Sequence, residues 1–229
     1  MLILAYYMSK NCMLFCLLVI LLALISTYII IQWFQTSREG FETKRNIVLM
    51  GDSVLNNSNY VAADKSVFAL LKSKTNNVTN FATDGAVINT CLSQLEQIPT
   101  SFNNDSTYLF ISAGGNDILN SPTQLDQAEI AKLFDKYLDC IKAIKHKLPS
   151  TNLNILNLYL PANPKYKSYK TVVDMWNQLI LSNATTVGLS YNVIDTNKLL
   201  VGPEYFVYGI EPSASASKKL AEVIYISAQ

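Results

Sequence analysis

The chain holds little of what metal sites, disulfide scaffolds and nucleic-acid surfaces are built from. Of 229 residues one is histidine and four are cysteine. Cys12 and Cys16 fall in an apolar run near the amino terminus, which leaves Cys91 and Cys140 for the rest of the chain. Two cysteines do not make a disulfide framework, and no Cys/His spacing suits a metal ion. Net charge is scarce as well: 18 Lys and Arg against 17 Asp and Glu leave +1. Without a basic patch there is no electrostatic footprint for nucleic acid. No internal repeat or low-complexity segment interrupts the chain, so solenoids and disordered arrays are excluded.

Apolar residues, in contrast, are abundant and unevenly spread. Residues 12–31 read CMLFCLLVILLALISTYIII, twenty positions without a charge. As a helix rising 1.5 Å per residue they span about 30 Å, the thickness of a bilayer's hydrocarbon core. Trp33 and Phe34 follow where an interfacial aromatic belt would lie, with Arg38 just beyond. A cleavable signal peptide is the main rival, but its apolar core is shorter and ends in a small-x-small site, which Tyr28–Trp33 does not offer. The expectation is a single-pass membrane anchor over 1–34, a polar linker over 35–45 and one domain over 46–229. Counting Lys and Arg leans toward a cytoplasmic domain. Asn-x-Ser/Thr sequons at Asn56, Asn77, Asn104 and Asn183 do not decide the side.

Beyond the linker the pattern alternates. Apolar, β-branched runs suited to buried parallel strands occur at Ile47–Met50, Val78–Ala82, Tyr108–Ser112, Leu153–Tyr159 and Tyr191–Ile194. Between them, Ile130, Leu133, Phe134, Tyr137, Leu138, Ile141 and Ile144 mark a long amphipathic helix. Val172, Val173, Trp176, Leu179 and Ile180 mark another, and Leu220, Val223 and Ile224 a last one starting after Pro212. Shorter helices are predicted over Lys65–Ser73 and Asn89–Gln97. Strands alternating with helices predict a three-layer α/β/α fold around a five-stranded parallel sheet, with flavodoxin-like order 2-1-3-4-5.

In such a fold the loops after strands 1, 2 and 3 meet at the carboxyl edge of the sheet, where ligands bind. Those loops read Gly51-Asp52-Ser53, Thr83-Asp84-Gly85-Ala86 and Gly114-Gly115-Asn116-Asp117. Acyl transfer needs a nucleophile and donors aimed at a developing oxyanion. The Ser53 hydroxyl suits the first role. The backbone N–H groups of Ser53 and Gly85 and the Asn116 amide suit the second. Each piece alone is ordinary: Gly-Asp-Ser starts many helices, and Gly-Gly-Asn-Asp is a generic loop. Asp52 and Asp117 read as loop fixers or caps, Asp195 as a loop anchor, and Asp84 as a possible substrate contact.

Together, Ile47–Ser53, Asn80–Gly85 and Gly114–Asp117 resemble the first three blocks of the SGNH (GDSL) hydrolases, a resemblance covering residues 46 to 227. It implies hydrolysis of carboxylic esters, commonly acyl or acetyl groups on lipids or sugars, with neither metal nor organic cofactor. Ser53 matches the nucleophile, and Gly85 and Asn116 match the oxyanion donors. The departure lies in the last block, where the family carries Asp-x-x-His before the final helix. Here Tyr208 stands at the Asp position and Glu211 at the His position. The single histidine, His146, sits near the end of the long helix, at the opposite end of the sheet from the site. The resemblance extends to a branch with Glu-Pro-Ser at this place, which makes Glu211 the candidate base or orienting group.

Two functions remain open on the sequence. One is a membrane-anchored esterase or acylhydrolase working on a small-molecule, glycan or lipid ester. The other is a silent relative that keeps the cavity and binds an acylated ligand or glycan.

Overall fold

The structure, a computed structural model, describes residues 20–32, 45–122 and 125–229. The chain divides into two units, Met1–Thr43 and Lys44–Gln229. In the first, residues 20–32 are helical and their side chains are exposed. The predicted membrane span begins at residue 12, so its first part lies outside the described residues. Among the described residues no helix is long and apolar enough to cross a membrane.

The second unit is built on five parallel strands: β1 (Asn46–Gly51), β2 (Val78–Asn80), β3 (Thr107–Ser112), β4 (Asn152–Leu156) and β5 (Asn192–Ile194). Their order is β2-β1-β3-β4-β5, as predicted. The pairing Gly51↔Ser112 ends β1 and β3 level with one another, so the chain leaves both strands at the same edge. Five longer helices connect and cover the strands: α1 (Val67–Lys74), α2 (Ile88–Gln97), α4 (Gln127–Lys147), α5 (Lys170–Asn183) and α7 (Ala214–Ser227). Two short ones, α3 (Gly115–Leu119) and α6 (Thr196–Leu199), follow β3 and β5 directly.

The period of two along β1 separates the layers. Val48 and Met50 pack with Ile88 and Cys91 of α2, Phe134 and Tyr137 of α4, and Trp176 of α5. Ile47 and Leu49 face the other way, onto Val67 and Leu71 of α1 and Leu220 and Ile224 of α7. A strand buried on both faces is apolar at every position, which is why Ile47–Met50 shows no alternation in the sequence. Arg45 Nη1 donates to the Ala228 carbonyl at 2.8 Å, tying the start of the domain to its end.

Two predicted strands are shorter than expected, because Val78–Ala82 and Leu153–Tyr159 leave the ladder at Asn80 and Leu156. In both cases the apolar run continues into the loop that builds the site. Besides the short helices α3 and α6, the elements not anticipated include a two-residue antiparallel ribbon of β6 (Phe206–Val207) and β7 (Glu211–Pro212), with Val207 opposite Glu211. Ser213 then caps α7, its hydroxyl accepting from the Ala216 N–H.

Candidate active site

The site begins where β1 stops. Gly51 has φ +116°, and a Cβ there would lie 1.9 Å from the Ser112 carbonyl oxygen, so no other residue fits the end of this strand. The next residue folds the chain over. Asp52 Oδ1 accepts from the Val54 N–H at 3.1 Å, and its carbonyl accepts from Leu55 and Asn56. This side-chain turn leaves Ser53 buried but on the wall of a cavity. Ser112, at the end of β3, donates its hydroxyl to the same Asp52 Oδ1 at 2.8 Å and locks the turn to the neighbouring strand.

Gln94 makes the second lock. It is buried on the inner stripe of α2 and grips Gly51 with both ends of its amide. Gln94 Oε1 accepts from the Gly51 N–H at 2.7 Å, and Nε2 donates to the Gly51 carbonyl at 2.9 Å and to Thr83 Oγ1 at 2.9 Å. One side chain therefore joins the loop after β1 to the loop after β2.

In that second loop Thr83 to Ala86 form a turn closed by Ala86 N–H to the Thr83 carbonyl. Gly85 occupies its third position with φ +72° and is exposed, with open space where a Cβ would be. A positive φ there is what a type II turn demands. Gly85 is not on the cavity wall, but the adjoining Ala86 carbonyl accepts from Asn116 Nδ2 at 2.9 Å. That bond fixes the Asn116 amide on the first turn of α3, where Asn116 lines the same cavity as Ser53. Asp117 beside it caps α2 by accepting from the Ile88 N–H. Among the described residues no acceptor within the chain takes the backbone N–H of Ser53 or Gly85.

Glu211 comes to the site on the β6–β7 ribbon. It is half-buried and lines the cavity with Ser53, Asp52 and Asn116. Burial raises its pKa, the neighbouring Ser53 hydroxyl pulls it down, and the charge of Asp84 raises it; the net direction is upward. Its Oε2 is buried without a hydrogen-bond partner among the described residues. Asp52 is more strongly perturbed. Burial pushes its carboxyl up to about 7, against the hydrogen bonds from Ser112 and Val54, and the nearby Glu211 adds to the rise. Three carboxyl groups thus influence one another around Ser53.

The ribbon is tied down on both sides. Asn57, fully buried, donates from Nδ2 to the Pro212 carbonyl at 3.1 Å and to Ser217 Oγ at 2.6 Å. Its Oδ1 accepts from the Val67 N–H at 3.1 Å. On the other side Tyr159 donates its hydroxyl to the Ile210 carbonyl at 2.9 Å. Ser53, Asn116 and Glu211 therefore line one cavity, and Gly85 sits one residue from the Asn116 anchor.

The other sequence candidates have structural work. Tyr208, at the position of the expected Asp, is 79% exposed and makes no bond to Glu211; it lies in the left-handed region (φ 51°) with its ring 6.1 Å from Tyr60. Tyr60 in turn donates to Asp84 Oδ2 at 2.7 Å. Asp195 caps α6, accepts from Asn157 Nδ2 at 3.0 Å and is anchored by Lys198. His146 is exposed at the carboxyl end of α4.

Sequence reasoning missed Gln94, Asn57 and Ser112. Gln94 had one readable signal: it is a polar residue on the apolar stripe Ile88, Cys91, Leu95 of α2.

Comparison with known proteins places this geometry. The model of the family described as GDSL-like lipase/acylhydrolase matches residues 47–222. Similar solved structures include a lipolytic G-D-S-L family member from Veillonella parvula, with TM-score 0.63 and 15% identity over 80% of this chain and 97% of that one. Phospholipase A1 from Streptomyces albidoflavus gives 0.61 and 16% over 82% and 100%. An acetylxylan esterase from Geobacillus stearothermophilus gives 0.58 and 15% over 80% and 93%. At these identities the likeness is one of fold. Among curated proteins no match was found.

Proposed function

The chain belongs to the GDSL-like lipase/acylhydrolase family, and on that premise we propose that it hydrolyses carboxylic esters with Ser53 as nucleophile and Glu211 as the proton acceptor. The observation that carries this reading is the placement of Ser53 and a half-buried Glu211, whose pKa is raised by burial, on the wall of one cavity. A carboxylate at its ordinary pKa of about 4.3 is a poor match for a serine proton. Desolvation moves the match in the right direction.

The steps follow from the positions. Ser53 Oγ attacks the ester carbonyl as its proton passes to Glu211, and the carbonyl π electrons move to oxygen. The resulting oxyanion is stabilised by the N–H group of Ser53 and by the second Nδ2 hydrogen of Asn116, both residues being on the cavity wall. Collapse breaks the bond to the leaving oxygen, which takes the proton from Glu211 and departs as the alcohol. Water, deprotonated by Glu211, then attacks the acyl-Ser53 ester. A second collapse returns the proton to Ser53 and releases the acid. Asp52 contributes by holding the turn that carries Ser53.

The reading includes a membrane anchor over residues 12–31. Its support is the uncharged apolar run and, along residues 20–32, exposed apolar side chains such as Leu24 and Ile29. The competing reading, a silent domain that binds an acylated ligand, draws on the absence of an imidazole at the site. A rate assay separates the two. Full-length protein in non-ionic detergent is expected to hydrolyse p-nitrophenyl acetate or butyrate, and Ser53→Ala to lose that activity to the background rate. Equal rates for the two proteins at every pH would leave only the binding role.

A further inference from the structure

The wall of the cavity beside Ser53 is of two kinds. Ser53, Asn116 and Glu211 make part of it polar. Ile118 and Leu119 of α3, Leu158 after β4, and Tyr166, Tyr169 and Val173 also line it, and much of their surface is apolar. The last three form a stripe with a clear geometric origin. Residues Pro164–Tyr169 are a 3-10 helix, opened by Asn163, whose Oδ1 accepts from the Lys165 N–H, and by Pro164 at the first position. Three residues per turn eclipse Tyr166 and Tyr169, and their rings pack at 6.2 Å. The chain runs on into α5, where Val173 lies four residues past Tyr169 on the same face. Asn177, one turn further, clamps Leu158 from the other side, accepting from its N–H at 2.8 Å and donating to its carbonyl at 2.7 Å. These lining residues are thus braced by a helix start and a buried amide.

Its size is small. The cavity volume is about 70 Å³, and a water-sized group needs about 10–15 Å³ of such space, so the site seats roughly five to seven groups. A carbonyl and its oxygen beside Ser53 leave room for only a few methylenes.

We propose that this cavity is a short-acyl pocket in which Tyr166, Tyr169 and Val173 set the length limit, so that the substrates are esters of acyl groups of two to about five carbons. The proposal rests on the ester-hydrolase reading and adds the acyl class to it. Apolar walls favour each added methylene until the stripe is reached, and the next one meets braced aromatic rings.

The test is a chain-length series. With ethyl or p-nitrophenyl esters from C2 to C8, each below its micelle concentration, kcat/KM of the full-length protein is expected to rise up to about fourfold per methylene to C4. It is then expected to fall at least tenfold by C8. Tyr169→Ala is expected to move the optimum to C6 or beyond. Val173→Leu, which keeps an apolar helical residue and shortens the pocket, is expected to move it toward C2. A wild-type rate that keeps rising to C8, or an optimum that neither variant moves, would overturn the length limit. Binding of the same ethyl esters to Ser53→Ala, followed by saturation-transfer NMR, keeps the two readings apart. A length cut-off in binding without hydrolysis by wild type upholds the pocket and removes the enzyme; hydrolysis without a cut-off does the reverse.

Discussion

At the residue scale the site depends on buried polar groups whose partners are backbone. Gln94 satisfies both the N–H and the C=O of Gly51, and through Thr83 it also places the Gly85 turn. Replacing it by Leu leaves the buried Gly51 N–H unpaired, while the Gly51 carbonyl keeps its bond from the Thr83 N–H. Gln94→Leu is therefore expected to lower denaturant stability by about 1–3 kcal/mol and to reduce kcat more than KM, because Ser53 and the oxyanion donors lose their shared reference. Asp52 makes a second residue-scale statement, about pH. Its folded pKa of about 7 lies above the ordinary 3.8, so the folded state binds the extra proton between those values. Stability then falls as pH rises from about 4 to about 7, by up to roughly 4 kcal/mol for this group alone. Asp52→Asn is expected to flatten that slope in urea melts at pH 4.5, 6 and 7.5; an unchanged slope would place the proton elsewhere. Asp52 was legible in the sequence as a loop fixer, and Ser53, Asn116 and Glu211 as site candidates, because their type and place suggest a chemistry. Gln94 and Asn57 act through geometry, which residue type does not display.

At the scale of elements, short pieces decide the chemistry and long ones supply the frame. The long helices and the cores of the five strands were readable from periodicity, since each buries a whole face. The β6–β7 ribbon was not, because two residues per strand carry no period. Yet it is the ribbon that delivers Glu211, held by Asn57 to Pro212 and Ser217 and by Tyr159 to Ile210. Asn57→Ala cuts the tie between the loop after β1 and the start of α7. The expected result is a stability loss of about 2–4 kcal/mol from unpaired buried groups, with kcat falling at least tenfold at temperatures where the variant is still folded. Tyr159→Phe, which removes one bond and little volume, is expected to cost under about 1.5 kcal/mol while still lowering kcat. If kcat in both variants matched wild type below the melting range, the ribbon would not be what positions the base.

At the scale of the molecule, a parallel sheet in order 2-1-3-4-5 gathers the carboxyl ends of its strands along one edge, and three separate stretches of sequence become one site. That gathering made the architecture legible, because Gly-rich loops each followed an apolar run. The same topology sets His146 at the far end of α4, and the proton acceptor proposed for the site is a carboxyl group. The central claim is that Glu211 activates Ser53, and fluorophosphonate labelling tests it most directly. The full-length protein would be labelled from pH 4 to 9, the modified residue located by peptide mass spectrometry, and the rate compared with that of Glu211→Gln. The account expects the label on Ser53, a rate that rises through an apparent pKa above 4.5, and a loss of about 100-fold or more in Glu211→Gln. A label on Ser53 at the same rate and pH dependence in Glu211→Gln, or no label on Ser53 at any pH, would contradict it.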